Sequence, residues 1–232
     1  MNTNQELARQ LETMLRLKAP PIALIFSDVP LEGVARVSAS APAGCAYWKR
    51  AAQGELFYTT AGDHLGCPIG AFTHGAPLGP DDEKNLMDIV EMMIGVGYLA
   101  SEEVAQIPKR STKLAIVTYG PLSLMPREPD VMLVRSAPRA AMLLSEAAHA
   151  LGVQRQSAPV IRPACAMVPE VEGSNRATSS FGCIGNRVYT GLPDDEVWFA
   201  CSGDQITSLV ARLTTLAKAN EELESFHVAR AG

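Results

Sequence analysis

Five cysteines, Cys45, Cys67, Cys165, Cys183 and Cys201, carry most of the chemical potential of this 232-residue chain. Four of them stand beside Gly, Pro or Ala, in Gly44-Cys45-Ala46, Gly66-Cys67-Pro68, Ala164-Cys165-Ala166 and Gly182-Cys183-Ile184. Four thiolates suit an iron–sulfur cluster and also tetrahedral zinc. Structural zinc usually recruits its cysteines in close pairs, whereas the gaps here are 22, 98 and 18 residues. Such gaps imply ligands delivered by separate loops, which a cluster accommodates, so a [4Fe-4S] cluster at Cys45, Cys67, Cys165 and Cys183 is the expected group. Zinc and haem are the alternatives. The absence of a Cys-x-x-Cys pair argues against a thioredoxin-like motif and a zinc ribbon. A redox pair of Cys67 with Cys45 stays open. Cys201, within Trp198-Phe199-Ala200-Cys201, reads as a small buried hydrophobe.

The densest stretch is His64-Leu65-Gly66-Cys67-Pro68-Ile69-Gly70-Ala71-Phe72, which follows the apolar run Leu56-Phe57-Tyr58. It has the form of a turn that leaves a strand and opens a helix, because Pro68 at a first helical position forfeits no hydrogen bond. A helix start favours the thiolate, so Cys67 is expected to be more reactive than a buried thiol. Gly66, Gly70 and Gly185 would let the backbone approach a cofactor closely. His64 could ligate a metal or move a proton, and with Arg187 it forms the pair of candidate catalytic residues. Lys49, Arg50 and Arg187 could offset thiolate charge or bind an anionic substrate. Tyr47, Trp48 and Phe72 could wall an apolar pocket, with core packing the plainer role for Phe72. His74 is expected on a loop surface, His149 at a helix end and His227 in the tail. The chain shows no Ser-His-Asp order, phosphate loop or paired-carboxylate signature.

Composition narrows the class. A chain that is 47% hydrophobic and 19% charged is that of a globular protein with a sizeable core. A net charge of -5 excludes a basic footprint for nucleic acid, and no apolar run approaches the length needed to cross a bilayer. Met1-Asn2-Thr3-Asn4-Gln5-Glu6 lacks the basic and apolar regions of a signal peptide, so a cytoplasmic location is expected.

The elements that must position the cysteines can be read in order. Leu7, Leu11, Met14 and Leu15 recur at helical spacing over residues 3–17, and Pro20-Pro21 ends that helix. Ile22–Phe26 is an apolar strand, Cys45–Ala52 a short helix, and Glu55–Thr59 a second strand. Residues 71–80 read as a surface connection, and a helix starts after Pro80 with Asp81, Asp82 and Glu83 in its first turn. Lys113–Gly120 is another strand. Glu55–Asp63 lies on Glu196–Asp204 without a gap, and Asp130–Pro138 has a similar shape. Helices Ala140–Leu151 and Gln205–Ala219 follow the later two runs. The repeated unit is strand, small-residue turn, helix. The expected architecture is α/β, with these units around a mixed sheet and helices on its faces. It forms a single domain over 1–232 with two similar halves, about 1–110 and 111–232. Residues 157–187, with Arg162, Arg176 and Arg187 beside two cysteines, read as a long functional loop, and the tail from Asn220 as fraying.

Four pieces together resemble one family: Cys45-Ala-Tyr-Trp-Lys-Arg-Ala, His64-Leu-Gly-Cys-Pro-Ile-Gly-Ala, Pro163-Ala-Cys165 and Cys183-Ile-Gly-Asn-Arg187, with Pro129-Asp130-Val131 before the central strand. Their order is similar to that of the domain of unknown function 169 family, over roughly Leu7 to Leu216. The resemblance implies a cytosolic α/β protein with cysteine signatures at Cys45, Cys67, Cys165 and Cys183, and names no reaction. The expected function is therefore that of an iron–sulfur redox protein, in electron transfer or the reduction of a small molecule. The alternative is a non-catalytic carrier or sensor of a metal, tetrapyrrole or small ligand through the same thiols. Expected partners are a small-molecule substrate or an electron-transfer protein, and a homodimer is compatible with both readings.

Overall fold

The computed structural model describes residues 3–155 and 163–231. Seven strands form one mixed sheet: β1 (Ile22–Ser27), β2 (Phe57–Thr60), β3 (Ile116–Pro121), β4 (Val131–Ser136), β5 (Gln154–Arg155), β6 (Arg176–Ser180) and β7 (Val197–Ser202). Their order is β2-β3-β1-β4-β7-β6-β5. Every neighbouring pair is antiparallel except the short β5 against β6. Strand β1 is shared between β3, with Ile22 opposite Pro121, and β4, with Ile22 opposite Leu133. Strands from either side of residue 110 thus alternate in the sheet.

Successive side chains of a strand point to opposite faces, and two cores follow from that alternation. Ile22, Leu24, Val131, Leu133, Trp198 and Ala200 face one way, and Ala23, Ile25, Met132, Val134, Phe199 and Cys201 face the other. Helices α1 (Thr3–Leu15), α6 (Pro138–Ala150) and α9 (Ile206–Ala231) cover the second face, with Leu7, Leu11, Leu144, Leu209 and Leu213 buried beneath them. The first face is covered by α2 (Ala46–Ala52), α3 (Pro68–His74), α7 (Met167–Val171) and α8 (Ile184–Thr190). Helix α4 (Pro80–Gly95) and the single turn α5 (Ser101–Val104) lie outside them, and α4 packs on α3.

Local chemistry sets the helix boundaries. Helices α3, α4 and α6 all begin on proline, where the missing N–H has no intrahelical partner to lose. Helix α3 stops at Gly75, whose φ of 74° is the left-handed cap that a side chain resists.

Several expectations need correction. Residues 71–80 are helical as far as His74. The stretch read as a long loop holds a 3-10 turn (Ala164–Ala166), α7, β6 and α8. Its alternation of Ala and Ser in β6, Arg-Ala-Thr-Ser-Ser, carries too little apolar contrast to announce a strand. Arg162 lies outside the described residues. The tail from Asn220 continues α9 to Ala231, tied to α6 by an Arg139–Glu224 ion pair and by Asn220 donating to Glu146. The runs 55–63 and 196–204 do share a strand followed by a 3-10 turn (Ala61–His64 and Gly203–Gln205). Their acidic residues behave differently: Asp63 is buried under Thr60, Arg36 and Ser40, whereas Asp204 is exposed.

Candidate cofactor site

Cys45, Cys67, Cys165 and Cys183 all line one cavity of about 500 Å³ above the α2–α3–α8 face. Three of them occupy the same local position, the residue immediately before the first turn of a helix: Cys45 before α2, Cys67 before α3 and Cys183 before α8. Cys165 sits in the 3-10 turn that runs into α7. Among the described residues no strand residue lines the cavity. Three helix entries and one 3-10 turn bring the four cysteines to one cavity. Cys201 lies in β7 on the opposite face, buried among aliphatic side chains.

Facing the cysteines, the cavity's outer wall is made by α4 and the chain after it, with Met87, Val90, Met93, Val96, Leu99 and Ile107. Among the described residues the lining contains no Asp, Glu, Lys, Arg or His side chain. The chain returning from this wall is pinned by Arg110. Its backbone N–H donates to Thr73 O at 2.9 Å, and its guanidinium pairs with Glu172 at 2.6 Å and lies 3.8 Å from the Phe26 ring.

Burial governs the thiols. It pushes Cys45 up to about 12, with the neighbouring Cys183 and Cys67 adding to the rise and Asn186 opposing it. It lifts Cys165 well above the ordinary thiol range, although the Thr73 hydroxyl donates to its sulfur at 3.3 Å. Cys67 also rises through burial, opposed by the backbone N–H of Gly70 and of Ile69. Desolvation thus outweighs the two amides that face the Cys67 sulfur. Unliganded, these thiols stay protonated; a bound metal deprotonates coordinating thiols outright.

Asn186 is the polar residue that sequence reasoning missed. It is buried, and its Oδ1 accepts the Trp198 indole N–H at 3.0 Å. That bond leaves the Nδ2 end without a full hydrogen-bond partner, in the cavity wall and close enough to Cys45 to lower its pKa. The Trp198 bond is long-range, so nothing local in Ile184-Gly185-Asn186 signals it.

The other expected site residues divide. Gly70 and Gly185 line the cavity, and a Cβ at Gly70 would stand 3.7 Å from the Cys67 sulfur. Gly66 does not: a Cβ there would meet the carbonyl oxygens of Ala41 and Pro42 at 3.0 Å, so its small size serves loop packing. His64 is outside the lining and fully buried, with Nε2 2.9 Å from the Thr59 hydroxyl. Its Nδ1 lies behind Gly44, where a Cβ would approach to 2.9 Å. His74 is buried too, not on a loop surface; its ring stacks on His64 at 5.6 Å and its Nδ1 bonds Gly70 O at 3.0 Å. Burial holds His64 down at about 3, helped by His74, and His74 at about 4, against the pull of the Gly70 carbonyl.

Arg187 points away from the cavity, donating to the carbonyls of Leu192 and Pro193 at 3.2 Å and pairing with Asp194. Arg176 pairs with Glu170, Arg50 with Glu55, and Lys49 is exposed. Tyr47 and Trp48 are packed into the core beneath the site, whereas Phe72 does line the cavity. No described cation therefore offsets thiolate charge from within the lining.

Among the described residues, no three His, Cys, Asp or Glu side chains are grouped as a ready site for one metal ion. With zinc–sulfur bonds of about 2.3 Å, a tetrahedral ion needs its sulfurs about 3.8 Å apart. No helix of the described residues is long and apolar enough to cross a membrane. A family model described as DUF169, an uncharacterised ArCR family, matches residues 10–212. No curated protein and no solved structure matches the chain.

Proposed function

We propose that this chain, which belongs to the DUF169 family, is an iron–sulfur redox protein whose [4Fe-4S] cluster is held by Cys45, Cys67, Cys165 and Cys183. The observation that carries the reading is that four cysteines from four separate elements line a single cavity, while the fifth is buried on the other face of the sheet. The donor set is all sulfur, as a cluster prefers. The described residues form no ready single-ion site, so the reading rests on the cavity that the four cysteines share. The orphaned Asn186 Nδ2 supplies a buried donor beside Cys45, of the kind that tunes a cluster through its sulfurs.

When bound, the cluster would supply one-electron transfer. The protein's own residues would do the rest. Thr73 donates to the Cys165 sulfur, the Gly70 and Ile69 amides face that of Cys67, and an apolar wall lies over α3. His64 and His74, held neutral behind Gly44 and Gly70, support those loops and do not reach the cavity.

The lack of Asp, Glu, His, Lys and Arg in the described lining favours a second reading, a non-catalytic carrier or sensor of a metal, tetrapyrrole or other small ligand through the same thiols. Anaerobic purification with the visible spectrum, iron, zinc and acid-labile sulfide analysis tests both. Brown protein with equal iron and sulfide supports the cluster. Colourless protein with zinc, or a sharp Soret band, removes it in favour of the carrier.

A further inference from the structure

The cavity has two unlike sides. The four cysteines lie on one side, and a cluster held by them would face the other, Val90, Met93, Val96, Leu99 and Ile107. The whole cavity, cysteine wall included, is about 500 Å³, within the range of small-molecule sites. We infer that this outer chamber binds an uncharged, mainly hydrocarbon small molecule, seated between the cysteine wall and α4.

The charge pattern decides the class. An ionised ligand would be stripped of water with no counter-charge in the described lining, which is strongly unfavourable. An apolar ligand would gain by leaving water. The methionines contributed by α4 (Met87, Met92 and Met93) give the wall an adaptable shape, suited to a range of apolar outlines. Helix α4 is well placed for such a role: Val90 is its one buried residue, and it packs on α3 without joining either sheet-facing core. That the ligand is the molecule reduced, or carried, rests on the cluster reading. Its chemistry rests on the walls alone.

Equilibrium dialysis of the anaerobically purified full chain against N-phenyl-1-naphthylamine, an uncharged probe, tests the inference independently of colour. Saturable binding of one probe per chain is expected, displaced by neutral naphthalene and not by 1-naphthoate. Val90→Asp should weaken binding at least tenfold while the circular dichroism of the fold persists. Met93→Glu serves the same purpose should Val90→Asp fail to fold. Non-saturable uptake, equal displacement by naphthoate, or unchanged binding in a folded wall variant would overturn the chamber. Iron-free protein that binds the probe and loses it in the variant keeps the chamber and overturns the cluster. Brown protein that binds none overturns the chamber alone.

Discussion

Trp198 on β7 donates its indole N–H to Asn186 Oδ1 at 3.0 Å, and this one bond decides which end of the Asn186 amide faces Cys45. Asn186→Asp keeps an acceptor for Trp198 and replaces the Nδ2 donor with an acceptor or a charge. It should lower the cluster's midpoint potential, read by redox titration, because a donor beside the sulfur stabilises the reduced, more negative form. A buried carboxylate without a cation should also cost about 2 kcal/mol of stability in urea denaturation. A potential unchanged in a folded variant would leave Asn186 a packing residue.

The cysteines should separate into two groups. Ala at Cys45, Cys67, Cys165 or Cys183 should each remove most of the bound iron and the visible absorbance. Cys201→Ala should keep both and cost about 1 kcal/mol, the scale of one deleted core atom and its cavity. Full iron retention in any of the first four would take that residue out of the ligand set.

Acid should weaken the fold before any carboxylate titrates. His64 and His74 are held at about 3 and about 4, well below the ordinary 6.5. Between pH 6.5 and about 4 the unfolded chain therefore binds up to two more protons than the folded one. Their stabilising contribution is present above pH 6.5 and falls as pH drops, by at most about 2.7 kcal/mol per pH unit. Denaturation midpoints at pH 7, 6 and 5 measure this. His64→Gln should flatten the slope by about half, and a flat profile in the parent chain would contradict the burial of the pair.

Gly203 permits no side chain. A Cβ there would lie 1.6 Å from the Pro129 carbonyl oxygen, and the backbone N–H of Gly203 already donates to Asp130 O at 2.9 Å. Gly203→Ala should cost about 3 kcal/mol or more by displacing backbone, read as a lower melting temperature or loss of soluble protein. Gly120→Ala meets only the end of Leu56 at 2.8 Å and should cost much less.

What could be read in advance followed from strong local signals. Short continuous apolar runs at Ile22–Phe26 and Trp198–Cys201, and Pro80 before a helical run, were strong enough to announce their elements. Grouping Cys45, Cys67, Cys165 and Cys183 apart from Cys201 rested on their small neighbours, and those neighbours proved to be helix entries. Where tertiary context decided, local reading failed. His74 had the composition of an exposed turn, yet it is fully buried, under chain that returns at Arg110. Leu86, Val90 and Met93 recur at helical spacing and face a cavity, a destination that spacing cannot give, because periodicity reports which side is apolar and not what lies opposite.

Cys45 and Cys67 come from the first third of the polypeptide and Cys165 and Cys183 from the last third, over a single sheet whose strands β1 and β2 are interleaved with β3 and β4. A ribosome therefore releases most of the molecule before the full sulfur set can exist. Any prosthetic group that needs all four can be seated only once most of the chain has been made, and it would then staple early-made and late-made segments into one cooperative unit.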